Sequence, residues 1–312
     1  MKPVCLDLSE CNGLGDLICA TPTIKKLHDA YERKIIVISK MPELFKMNPY
    51  VEKSYKADSI DKDYFKANYI MHSSFYLVGK KDERGVEMKH NMMDIRQFHA
   101  VHLGFMLGAD EMECFYQPIE PKKHFIHGKY AVIHPVNSWP NRTWSQDNWN
   151  KLCDELIKYG YTVVAVGKDS AETGFFNVQK PVHEMSEHNI INLMNQTSIS
   201  ETWHLINDAT VVITMDSGIL HLAGTTNTDI VELGSPINPE FRRPRRKEGK
   251  HIYVRGACGL HCSSNMKYAL EYWPTIDYVQ PLIGCLEKKE TFECHPSAAQ
   301  VMHAINSNIY NI

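Results

Sequence analysis

The sequence predicts an α/β protein made of two domains with open parallel sheets facing each other across a cleft. Three observations carry this expectation. Short Val- and Ile-rich runs alternate with segments of helical periodicity, the pattern of parallel strands joined by crossover helices. The alternation falls into two successive blocks, separated by QPIEPKKHFIHGK at 117–129, whose prolines and charges mark a linker. A chain of 312 residues with 43% apolar composition has enough material for two medium cores. Function is then expected in the loops that follow the strands, because open sheets bind ligands outside the carboxyl ends of their strands.

In chain order the candidate strands are PVCLDL (3–8), KIIVIS (34–39), YIMHS (69–73), YAVIHP (130–135), TVVAVG (162–167), VVITM (211–215), DIVELG (229–234) and HIYVR (251–255). Helices fit between them. The best marked runs from Ser145 to Tyr159, with Ser145 as N-cap and Gly160 just past its end. Another carries a capping box, Ser198 with Glu201, ahead of ETWHLINDA. The expected domains are 1–122, 123–295 with a cysteine-rich end, and a C-terminal helix in 296–312 that packs back on the first domain.

Composition narrows the class. A formal net charge of −3 argues against a general nucleic-acid binder. No apolar run approaches the roughly 18 to 20 residues that span a bilayer. The opening MKPVCLDLSE has acidic residues where a secretory signal needs an apolar stretch, so a cytoplasmic protein is expected. Nine cysteines, an odd number, read as reduced thiols with one metal site rather than as a disulfide framework.

The stretch GLGDLICATPTIKKL, 13–27, follows the first strand and imitates a dinucleotide-binding loop. That loop needs G-x-G-x-x-G, and here the third position is Ile18. The acidic residue expected at the end of the second strand is also missing, replaced by Ser39 and Lys40. What remains is a loop with Gly13 and Gly15 that presents Asp16 near a helix start. Asp16 is either an N-cap or a functional carboxylate. Pro22 favours a first helical position with Thr21 as an alternative cap, or kinks a helix already begun.

A second constellation lies in VVITMDSGILHLAGTTNTDIVELGSP, 211–236. Asp216, Ser217 and Gly218 open a helix that carries His221 one turn in, and free N–H groups at such a start suit a phosphate or diphosphate. An ordinary capped helix with a core histidine is the alternative. The loop in YAVIHPVNSWPNRTW, 130–144, places Asn137, Ser138 and Arg142 after a strand of the same block. Arg142 can hold a phosphate bidentately, or be a solvated surface arginine. Glu172, shortly after GKDS, can accept from a ribose hydroxyl or sit on a solvated helix face.

Taken together, GDLICATPTIKKL, IHPVNSWPNRTW with the following VAVG, and DSGILHLAG…IVELGSP resemble the glycosyltransferase family that contains the lipopolysaccharide heptosyltransferases, family 9. The resemblance implies the GT-B fold, two Rossmann-like domains, with the acceptor bound by the N-terminal domain and the nucleotide sugar by the C-terminal one. It implies inverting transfer that needs no cofactor or metal, with a nucleoside-diphosphate sugar as donor, ADP-heptose by family default. A glycan or glycolipid is the implied acceptor, with protein less favoured. By this resemblance Asp16 matches the catalytic base, Arg142 stands where a basic residue faces the donor phosphates, and Asp216, Ser217, Gly218 and His221 match the donor-binding helix start. The chain departs from the family pattern at Val136 and Asn137, where a glycine is usual, and at Glu232 and Leu233, where an aromatic usually precedes the glycine.

Inverting transfer asks for a carboxylate that takes the acceptor proton and for donors that stabilise the leaving diphosphate. Asp16 fits the first need. Arg142, Ser138 and the N–H groups around Ser217 and Gly218 fit the second. DKD at 61–63 lies in a polar segment and reads as exposed rather than as a metal motif. Two other functions stay open: a nucleotide-sugar epimerase of the same fold, and a non-catalytic nucleotide-sugar-binding scaffold.

Cys258, Cys262, Cys285 and Cys294 are spaced C-x3-C-x22-C-x8-C, with His261 and His295 beside them. Four thiolates suit a structural Zn or Fe, and relatives that bind iron through four cysteines support it; free thiols are the alternative. Cys5, Cys11, Cys19, Cys114 and Cys153 read as packing residues. The run FRRPRR, 241–246, reads as a solvated loop or, through Arg242–Arg246, as a contact with anionic acceptor, donor phosphate or lipid headgroup, the last giving a peripheral association with the cytoplasmic membrane face.

Overall fold

The computed structural model describes residues 2–74, 93–136, 140–168, 190–262, 285 and 291–310. The chain divides into two compact units, Met1–Pro121 with Pro244–Arg246, and Lys122–Arg243 with Lys247–Ile312.

The first unit holds a four-stranded, all-parallel sheet of β1 (Val4–Asp7), β2 (Ile35–Ser39), β3 (Val51–Lys56) and β4 (Ile70–Ser73), in the order β3-β2-β1-β4. β2 is buried along its whole length, as an apolar run covered on both faces should be. β3, VEKSYK, had no strand signal, because an edge strand with one buried residue carries no apolar run. Its helices are α1 (Leu14–Cys19), α2 (Thr21–Tyr31), α3 (Lys62–Asn68) and α4 (Ile95–His102). The first DKD acid serves as a cap: Asp61 Oδ1 accepts from the amides of Asp63 at 3.0 Å and Tyr64 at 3.1 Å.

The second unit holds a six-stranded, all-parallel sheet in the order β10-β9-β8-β5-β6-β7. Its strands are β5 (Tyr130–His134), β6 (Thr162–Ala165), β7 (Ile191–Asn192), β8 (Val211–Thr214), β9 (Asp229–Leu233) and β10 (His251–Val254). β7 is two exposed residues on the sheet edge, too short for any periodicity to show. Helices α5 (Gln146–Lys158), α6 (Ile199–Asn207), α7 (Gly218–Ala223) and α8 (Ala298–Ile305) complete it. Ser145 caps α5 and the Ser198–Glu201 capping box opens α6, as their sequences require. Such a cap contributes about 1 kcal/mol. Burial of Trp149, Leu152 and Leu156 on α5 contributes more, at roughly 1.5–3 kcal/mol per side chain, so packing holds the helix and the cap decides where it starts.

Helix α8 corrects one expectation. Instead of returning to the first unit, it inserts Ala298, Val301, Met302 and Ile305 into the core of the second, beside Trp149 and Leu156. The cause is local. Trp144 stands edge-to-face on Trp149, centroids 4.9 Å apart, and its indole N–H donates to the Pro296 carbonyl at 2.7 Å, so α8 starts already anchored.

Candidate functional site

Each sheet has one point where the strand order reverses, and there the loops part to leave room for a ligand. In the first unit it lies between β1 and β4, in the second between β5 and β8. Of the residues singled out from the sequence, Asp16 follows β1, Arg142 follows β5, and Asp216, Ser217, Gly218 and His221 follow β8.

In the first unit the loop after β1 is tied down from both sides. Ser74, just past β4, donates its amide to the Asp7 carbonyl at 3.1 Å, and the Cys11 thiol donates to the Ser74 carbonyl at 3.5 Å. The Ser74 hydroxyl lies 2.8 Å from Nδ1 of His99, a fully buried residue of α4. Burial, aided by the neighbouring His102, pulls the His99 pKa down to about 3, so its ring is neutral at ordinary pH, and the Asp16 backbone carbonyl acts on it in the opposite direction. Asp16 itself is half-buried in the first turn of α1, whose N-cap is Gly13. The cap assignment for Asp16 is therefore corrected: it is a first-turn acid, and α2 begins separately after Ala20 with Pro22 inside its first turn. Gly13 leaves room for this carboxylate, since a Cβ there would lie 2.6 Å from Asp16 Oδ2 and force the side chain to shift.

In the second unit a charged cluster closes on Asp216, which is 2% exposed. Arg142, in the turn Pro140–Arg142 after β5, donates from Nη1 to Asp216 Oδ2 at 2.9 Å and to its carbonyl at 3.4 Å. Arg242 Nε lies 3.8 Å from the same carboxylate oxygen, and His221 Nε2 lies 3.9 Å from Oδ1. Burial alone would raise the Asp216 pKa, but the two guanidinium groups and His221 outweigh it and hold the carboxyl below its ordinary range. Ser217 Oγ accepts from the Leu220 amide at 3.4 Å and shares a hydrogen bond with Thr214 Oγ1 at 3.0 Å. Ser217 and Gly218 remain half-exposed beside this cluster. Since α7 has only six residues, the arginines are the main source of positive charge here.

The structure thus brings Arg142, Asp216, Ser217, Gly218 and His221 together. Asn137, Ser138 and Glu172 lie outside the described residues. Glu232, one of the departures from the family pattern, is buried and accepts from His251 across the β9–β10 pair at 2.7 Å; burial pushes its pKa up and His251 opposes this. Arg242 joins this cluster from the run FRRPRR. The sequence reads its run as a solvated loop or as a contact with an anionic acceptor, donor phosphate or lipid headgroup, whereas Arg242 is 2% exposed and turned onto Asp216. Arg245 lies 3.5 Å from Asp94 and Arg243 3.1 Å from Glu240; the expected membrane contact through Arg242 is corrected, because that side chain is buried. Nothing in FRRPRR marks which arginine turns inward.

The four C-terminal cysteines line one small cavity with Pro236 and Phe292. Gly256 makes this possible, because its amide donates to the Cys294 carbonyl at 3.0 Å and a Cβ there would meet the Glu293 carbonyl at 2.2 Å. Burial, with Cys262 and Cys258 adding to it, pushes the Cys294 thiol up to about 12. Among the described residues no three His, Cys, Asp or Glu side chains are close enough to form a metal-binding set. His295 is turned away, its Nε2 donating to the Asn141 carbonyl at 2.9 Å.

The family model described as Glycosyltransferase family 9 (heptosyltransferase) matches residues 83–269, more than half of the chain. The chain belongs to glycosyltransferase family 9. Within this family it is 30% identical over 124 residues to lipooligosaccharide heptosyltransferase 2 of Haemophilus influenzae, a match covering 37% of this chain and 36% of that protein. Matches to the curated relatives therefore span about a third of their length, 34% for lipopolysaccharide heptosyltransferase 2 of Escherichia coli K12. Among solved structures, the iron-containing dodecameric glycosyltransferase TibC of enterotoxigenic E. coli H10407 superposes with a TM-score of 0.74 at 17% identity, over 99% of this chain and 76% of that one. E. coli ADP-heptose lipopolysaccharide heptosyltransferase II gives 0.61 at 17% identity, over 100% and 99%. These likenesses establish the family 9 fold, GT-B, for the two parallel-sheet units. Among the described residues no helix is long and apolar enough to cross a membrane.

Proposed function

We propose that the chain is an inverting glycosyltransferase that moves a heptose from ADP-heptose to a glycan or glycolipid acceptor. The observation that carries this proposal is the Arg142–Asp216–His221 cluster at the strand-order reversal of the second sheet, inside the family-matched segment. Residues 123–295 would take the donor and residues 1–122 the acceptor. The donor sugar is supported by TibC, a structure of which contains ADP-D-β-D-heptose.

In this mechanism Asp16 accepts the proton of the acceptor hydroxyl as its oxygen bonds to the anomeric carbon and the bond to the diphosphate breaks. The negative charge then collects on the leaving diphosphate, where the Arg142 guanidinium offers paired N–H donors and Ser217 and Gly218 line the approach. None of these steps calls on a metal.

The first test is thermal unfolding against a panel of nucleoside diphosphates. ADP at about 100 times its dissociation constant should stabilise the protein by about 2.7 kcal/mol, and Arg142→Gln should remove most of that shift. Equal, negligible shifts for every nucleotide would sink the donor assignment.

We assign a structural Zn or Fe to the cysteine cavity. Four sulfur donors around one cavity fit the chemistry of either ion, and binding would deprotonate and draw in the thiols. Protein purified without chelator is expected to carry about one metal ion per chain, lost in Cys262→Ser. Metal-free protein with unchanged stability would refute the assignment.

A further inference from the structure

We propose that Arg242 is a positioning residue of the donor site, acting through Asp216 on Arg142. The inference rests on the donor site proposed above. Asp216 is an unsuitable phosphate ligand, since a carboxylate repels an anion, and yet it stands at the strand-order reversal. Its surroundings give it a different task. Its Oδ2 accepts from Arg142 at 2.9 Å on one side and faces Arg242 Nε at 3.8 Å on the other, while His221 stands 3.9 Å from Oδ1. The carboxylate is thereby fixed from three directions, by residues from the loops after β5 and β9 and from α7.

Exposure separates the roles of the two arginines. The side chain of Arg142 is 18% exposed and that of Arg242 only 3%. Arg242 also donates from Nη1 to the Phe241 carbonyl at 3.0 Å, which fixes its guanidinium against its own backbone. Arg142 alone of the two can meet a diphosphate, and Arg242 holds the carboxylate that aims it. The other nearby acid, Glu232, directs its carboxyl to His251 at 2.7 Å, away from the two arginines. Aiming matters because a bidentate guanidinium contact needs both N–H groups in line with two oxygens, which a freely rotating arginine satisfies only part of the time.

A double-mutant cycle on ADP affinity tests the inference. Arg142→Gln should weaken ADP about tenfold to a hundredfold, the usual loss for a charge-assisted hydrogen bond. Arg242→Gln should weaken it about fivefold to tenfold, with the double variant within about twofold of Arg142→Gln, because Arg242 acts only through Arg142. Arg242→Lys should recover part of the loss. If the two losses multiply, or if Arg242→Gln binds ADP like the parent, Arg242 has no positioning role. Should Arg242→Gln fail to fold, the cycle is run with Arg242→Lys under the same criterion. A parent protein that does not bind ADP, or an Arg142→Gln without effect, would instead refute the donor site itself.

Discussion

Asp16→Asn is expected to lower the rate of the proposed heptose transfer by about 10²- to 10⁴-fold while leaving ADP affinity within about twofold. The substitution keeps the size and shape of the side chain. The clash that constrains residue 13 is unchanged, since a Cβ there would still lie against the side chain at 16. It removes only the ability to take a proton. Asp16 lies in the first unit and the Arg142–Asp216 cluster in the second, so the two measurements separate base from donor site. The assay is ADP release from ADP-heptose with a lipooligosaccharide acceptor, beside ADP binding by calorimetry. Turnover at the parent rate would remove Asp16 from the mechanism. Loss of ADP binding in step with turnover would mean that the substitution damages the fold.

The largest effect on stability is expected from Asp216→Asn, at about 3 kcal/mol of destabilisation. Breaking a buried ion pair by removing one partner costs roughly 3–5 kcal/mol, because the other charge is left behind. Here two arginines are left, but the Arg142 side chain is 18% exposed and water recovers part of its solvation, which places the estimate at the low end. Urea unfolding checks this through the transition midpoint, with the slope unchanged. ADP should widen the deficit, since a variant whose Arg142 is no longer aimed binds the diphosphate more weakly and gains less from it. A loss below about 1 kcal/mol would mean that the cluster is solvated and contributes as a surface pair does.

Much of this was legible in the sequence because the signals are local. Ser145 and Ser198 cap their helices for reasons contained within four residues, and the apolar runs of β1, β2, β5, β8 and β9 are the strands buried in the sheets. The candidate residues could be found because strand ends can be found, and Asp16, Arg142 and Asp216 all follow one. The family motifs lie on those same loops. Elements without an internal signal were missed: β3 is polar and at an edge, and β7 is two residues long.

The sequence by itself determined the α/β class, the main strands and helix caps, and the loops that carry Asp16, Arg142 and Asp216. These follow from short-range periodicity and capping chemistry. Only the tertiary structure decided that Arg242 turns inward onto Asp216, that Glu232 pairs with His251 on the next strand, and that α8 packs against α5. The physical reason is the same in each case. A charge or an apolar stripe states what kind of partner it needs, but which partner it meets depends on strand order and on loops that bring distant residues within a few ångströms. No window of sequence contains that distance.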